Sequence, residues 1–131
     1  MNDSINWFKE GCQFLTAASG KKKKFNRSIR YNLLGMAFEK FVMAILIHHG
    51  TLPDNHTFSD LLIGLEKVCQ VEPDMKKTIL RLESAQQICS FTDCFQRELG
   101  DEDIDIMKGV MEKVKVIAEL NCRVQLGEMI H

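Results

Sequence analysis

Apolar side chains along this chain recur three and four positions apart and almost nowhere alternate with polar ones. That spacing belongs to helices with one buried face, not to half-buried strands. Ile5, Phe8, Cys12 and Leu15 make one stripe, and Trp7, Gly11, Phe14 and Ala18 make a second beside it. A first helix is therefore expected over 4–18, capped by Asp3 and touching two neighbours. Ser19-Gly20 ends it.

The second helix is expected over about 25–49. Leu33, Leu34, Met36, Ala37, Phe38, Phe41, Val42, Ala44, Ile45 and Leu46 cover most of its circumference, as in a helix at the centre of a bundle. Gly50 suits the left-handed position past its end, and Pro53 prevents continuation. A third helix starts at Thr57, where Thr57-Phe58-Ser59-Asp60 has the form of a capping box. Its buried face is Phe58, Leu61, Leu62, Leu65, Val68 and Cys69. Pro73 suits the first turn of a fourth helix reaching about 89, with Met75, Ile79, Leu82 and Cys89 in period and Gln86 interrupting. The stretch 91–95 fits no element. The last helix is expected over 101–126, before Gly127, with Met107, Val110, Met111, Val114, Ile117, Ala118, Asn121 and Val124 on one face.

Together these elements predict an all-α protein, a single antiparallel up-and-down bundle of about five helices in one domain spanning 1–131. A chain of 131 residues is the size of one domain, and no internal repeat or linker divides it. Composition agrees: 45% hydrophobic and 27% charged is the balance of a soluble globular chain. The longest uninterrupted apolar run, Phe41 to Ile47, is too short for a bilayer, which needs about 20 residues. No signal-peptide core precedes it, since Asp3, Lys9 and Glu10 fall in the first ten residues. Five cysteines without a CxxC point to thiols in a reducing compartment. A cytoplasmic protein without a membrane segment is expected.

The net charge of −1 excludes a polyanion binder overall, but the charges are not evenly spread. Lys21, Lys22, Lys23, Lys24, Arg27 and Arg30 are six cations with no acid among them. On a helix Arg27, Arg30 and Tyr31 share a face, with Lys23 and Lys24 above them at the positive helix start. Lys23, Lys24, Arg27, Arg30 and Tyr31 are therefore the candidate nucleotide or phosphate site, with Tyr31 expected to stack on a base. The opposite patch, from Glu98 to Asp105, carries five acids and reads as a helix start answering its dipole. Glu39-Lys40 interrupts an apolar helix; if both are partly buried they must be paired, and would mark a groove or a dimer seam.

Three of the four histidines fall in the nine residues His48-His49-Gly50-Thr51-Leu52-Pro53-Asp54-Asn55-His56. Adjacent helical residues point about 100° apart, so His48 and His49 do not share a metal easily. The segment reads as a helix stop followed by a helix start. No metal site, catalytic set or cofactor is expected.

The run Arg30-Tyr31-Asn32-Leu33-Leu34-Gly35-Met36-Ala37-Phe38-Glu39-Lys40, its apolar continuation, and then His56-Thr57-Phe58-Ser59-Asp60-Leu61-Leu62 resemble the HEPN family of nucleotide-associated helical domains. Tyr31, Glu39, Lys40, Ala44, His56, Leu61 and Leu62 carry the resemblance. It implies a bundle that dimerises, accompanies a nucleotidyltransferase, as in toxin–antitoxin-like pairs, or cuts RNA with an Arg followed after four to six residues by a His. None of Arg27, Arg30, Arg81, Arg97 and Arg123 has a His at that spacing; Arg123 and His131 are separated by 131 − 123 − 1 = 7 residues, and His131 is terminal. A frayed residue is a poor general base. The expectation is a non-catalytic HEPN-like module, not an enzyme, that forms a homodimer and binds a nucleotide, RNA phosphate or a protein such as a nucleotidyltransferase. The alternatives are a ribonuclease with an atypical site and a purely structural dimeric interaction protein.

Overall fold

The structure, a computed structural model, describes residues 3–20, 27–91 and 100–130; for residues 3, 27, 28, 82, 85–91 and 122–130 it describes the backbone alone. Five helices follow in order: α1 (Asp3–Ala18), α2 (Arg27–His48), α3 (Phe58–Val68), α4 (Pro73–Phe91) and α5 (Asp101–Ile130). Among the described residues there is no strand. The fold is the all-helical bundle that the three-four spacing predicts.

Helix α2 is the hub, packed most extensively on α1 and next on α5. Leu34, Ala37, Phe38, Phe41, Val42, Ala44, Ile45 and Leu46 have no exposed surface at all. Met36 departs from the expected all-round burial: it is 44% exposed, beside exposed Ile29 on the same side of the helix. By length and composition the stretch Ile29–His48 could cross a membrane, so the seven-residue run understates its apolar length; 61% of its most apolar window is buried inside the bundle.

Helix α1 lies antiparallel to α2. Phe8 packs on Phe41 with ring centroids 5.8 Å apart, while at the far end the Arg30 Nε donates to the Ala18 carbonyl at 3.2 Å. Gly11 is why the two helices approach so closely: a Cβ there would stand 2.6 Å from Phe41 Cε1.

The end of α2 is built as the sequence predicts. Gly50 has φ +73°, the Thr51 N–H reaches back to the Leu46 carbonyl, and the Gly50 N–H reaches Ile47. These are the two bonds of a Schellman motif. The chain then doubles back along α2. His56 stands beside Glu39, Phe58 packs edge-on against Phe38 at 5.1 Å and covers Gly35, and Gly64 faces Leu46. Helix α3 thus advances along α2 in the same sense.

Thr57 caps α3 by accepting from the Asp60 N–H, but Asp60 does not complete the expected box through the backbone; its carboxylate takes the Thr57 hydroxyl instead, at 2.8 Å. A different N–H of the first turn, that of Ser59, is satisfied from another helix. Glu83 of α4 accepts from the Ser59 N–H at 3.0 Å and from the Ser59 hydroxyl at 2.6 Å. A carboxylate at a helix start satisfies orphan N–H groups and answers the dipole.

Two other boundaries differ from expectation. Helix α4 runs on to Phe91, so the start of the unplaced 91–95 stretch is its last turn, and the rest lies outside the described residues. Helix α5 passes through Gly127 and ends at Ile130. A single glycine costs a helix only about 1 kcal/mol, and no proline follows here to enforce a stop.

Candidate binding surface

Of the five residues expected to hold a phosphate, Lys23 and Lys24 lie outside the described residues, and Arg27 is described in its backbone alone. Arg30 is held by the last carbonyl of α1, half-buried at the corner between α1 and α2. Tyr31 corrects the expectation outright. It is 5% exposed and belongs to the core, so it offers no face on which a base could stack. The reason is its place in the turn: residue 31 also falls on the stripe of Leu34 and Phe38, and the aromatic ring follows the hydrophobic face.

Glu39 and Lys40 are partly buried, with side-chain exposures of 30% and 19%, and both are paired. Glu39 Oε2 accepts from His56 Nδ1 at 2.9 Å. Lys40 Nζ lies 3.5 Å from Glu10 and 4.5 Å above the Trp7 ring centroid. Their partners come from this chain, so the pair fastens α1 and the α2–α3 loop to α2. His49 faces Asn121 Oδ1 across to α5 at 2.8 Å, with Nε2 carrying the proton because the Asn121 amide is already turned to the Ile117 carbonyl. His48 stacks edge-on against His49 with centroids 5.3 Å apart. His49 and His56 thus serve separate joints, one towards α5 and one between the α2–α3 loop and α2.

Arg123 is described in its backbone alone and His131 lies outside the described residues.

Open surface is found along α5. Between the end of α1 and the middle of α5 lies a groove of about 540 Å³, lined by Leu15, Thr16 and Gly20 on one side and by Glu112, Lys115 and Glu119 on the other. Cys12 sits beside it, its thiol pushed above the ordinary cysteine value by burial, with Lys115 pulling down and Glu119 pushing up. Burial also raises the Cys69 thiol. Both should be mostly protonated at neutral pH and alkylate more slowly than a free thiol at pH 8; iodoacetamide labelling read by peptide mass spectrometry checks this.

On the rim of the groove Val116 is 54% exposed, and Leu120, one turn further, is 57% exposed. Ile106 adds a third large aliphatic at 49%. The buried face of α5 is legible from its period. This second, outward set is masked by the first, although its residues also stand at helical spacing.

No family model and no curated protein matches the chain. Among solved structures, the crystal structure of TT1696 from Thermus thermophilus superposes with a TM-score of 0.76 at 17% sequence identity, over 92% of this chain and 99% of that one. At that identity the likeness shows a shared fold. It runs nearly the full length of both chains, so the five-helix arrangement is common to the two.

Proposed function

We propose that this chain is a non-catalytic, HEPN-like helical bundle that works by binding a protein partner through the outward face of α5. The observation that carries the reading is the exposure of Ile106, Val116 and Leu120 on a helix whose opposite side already fills the core. Large aliphatic side chains gathered on one solvent-facing strip mark an interaction surface. The homodimer and the nucleotidyltransferase implied by the family resemblance are the partner classes within this reading, and a cytoplasmic address suits both.

Replacing Val116 and Leu120 together by Glu is expected to leave the helical circular dichroism intact and to abolish co-purification of the native partner from the host. Retention of that partner by the double variant would remove α5 from the interface.

A second reading, phosphate or RNA binding at the α1–α2 corner, is favoured by one observation. Arg30 is fixed there by the Ala18 carbonyl, and the four lysines follow directly after Gly20 at the end of α1. It predicts RNA or ATP affinity that weakens steeply with salt and falls in an Arg27→Ala/Arg30→Ala protein, read by fluorescence anisotropy. Salt-independent affinity, or none at low salt, counts against it.

A further inference from the structure

The outward face of α5 has a regular register. Ile106, Gly109, Lys113, Val116 and Leu120 follow one another at intervals of three, four, three and four. That is the a/d spacing of a coiled-coil seam. At about 100° per residue the seam lies on the far side of α5 from the buried stripe of Ile104, Met107, Met111, Val114 and Ala118. The helix therefore carries one apolar stripe for its own core and a second, heptad-spaced strip, aliphatic at Ile106, Val116 and Leu120, that stands exposed among the described residues.

Gly109 is an independent sign. It sits in mid-helix, where glycine is a poor helix former, and a Cβ added there would meet nothing within 4 Å. Packing among the described residues does not require it. A glycine in a seam lets a second backbone come close, or leaves a hole for a long side chain from across the interface.

Charge narrows the occupant. Asp105, Glu112 and Glu119 repeat every seven residues along one flank of the seam. Glu112 and Glu119, with Lys115 between them, also line the α1–α5 groove, which opens beside Val116 and has room for extended side chains. One cation, Lys113, stands in the seam itself and is exposed.

We infer that the α5 seam docks an amphipathic helix of a protein partner, aliphatic at its facing positions, acidic or polar at the layer opposite Lys113, and lined with Lys or Arg on the flank that meets the acid row. The basic side chains of that helix reach into the groove, and its backbone closes on Gly109. This deepens the protein-partner reading above and rests on it. A second copy of α5 fits less well, because antiparallel pairing would set the acid row against itself.

The test uses the full chain and a labelled synthetic helix of about three heptads with Leu at the facing positions, Glu at the central one and Lys on one flank, beside a second peptide whose flank lysines are Glu. Anisotropy should show the basic peptide binding about tenfold or more tightly than the acidic one, with that preference lost in Glu112→Gln/Glu119→Gln. Gly109→Ala should raise the thermal midpoint of the free protein yet weaken the basic peptide severalfold, a pairing of effects that a purely internal role for Gly109 does not produce. Equal binding of both peptides, or binding of neither while the Val116→Glu/Leu120→Glu protein still loses its native partner, overturns the inference and leaves the protein-partner reading standing. If that variant keeps its native partner, the reading itself falls. A dimer in sedimentation that Leu120→Glu converts to monomer, with the peptide excluded from the dimer, names a second copy as the occupant and overturns the inference as well.

Discussion

Phe41→Ala is expected to cost about 3–5 kcal/mol, the largest loss expected of any single side chain in the bundle. Phe41 has no exposed surface, packs against Phe8 and closes over Gly11, so removing its ring leaves a cavity at the joint of the two most extensively packed helices. Gly11→Ala attacks the same joint from the other side. Alanine favours a helix over glycine by about 1 kcal/mol, but its methyl would stand 2.6 Å from Phe41 Cε1 and 2.7 Å from Cδ1. A fully enclosed ring has nowhere to retreat, so overpacking of about 1–3 kcal/mol should win and the variant should be less stable. The two effects are not additive. In the Phe41→Ala background, Gly11→Ala should cost much less, because the atoms it strikes are gone. Urea denaturation of the four proteins of this cycle measures the coupling. A Gly11→Ala protein at least as stable as the parent would show that the ring yields.

Glu83→Ala should cost about 2 kcal/mol, more than an ordinary surface change. Its carboxylate accepts from both the Ser59 N–H and the Ser59 hydroxyl, and hydrogen bonds to a charged group are worth about 1.5–3 kcal/mol each when buried; partial exposure lowers the pair to the figure given. The loss has a definite location. Ser59 lies in the first turn of α3, so amide exchange should accelerate at the start of α3 and at its contact with α4, while α1 and the centre of α2 keep their protection. Glu83→Gln, which keeps one acceptor but not the charge, should fall between Ala and the parent. Uniform acceleration across all helices would mean that Glu83 supports the whole bundle, not the α3 joint.

Phe41 and Glu83 differ in what the sequence discloses about them. The burial of Phe41 follows from a local period, as does the stop at Gly50, where a left-handed turn admits glycine and the next proline forbids more helix. Glu83 is not found that way: on its own helix it is one more polar residue, and its role depends on α3 lying across from it. His49 with Asn121, and Lys40 between Glu10 and Trp7, are likewise meetings of distant segments. Tyr31 shows the opposite error. Its neighbours in sequence suggest an exposed basic face, whereas the helix turns it to the core. The acid row and seam of α5 stand in plain view, yet the buried stripe on the same helix accounts for so much of its apolar content that the remainder passes as ordinary surface.

The order of the helices bears on how the chain is made. Helix α2 is apolar enough over Ile29–His48 to be mistaken for a membrane span if it stood alone. Its principal cover, α1, precedes it, so a ribosome releases the cover first, and the α1–α2 hairpin needs only neighbouring residues to close. Helix α3 adds a smaller cover directly afterwards, and the other large one, α5, comes last, after roughly fifty further residues at about 5–20 residues per second. For those few seconds one side of α2 is bare in the nascent chain. Gly11, by letting Phe41 settle against α1 at once, shortens the time in which the most aggregation-prone helix is exposed on every side.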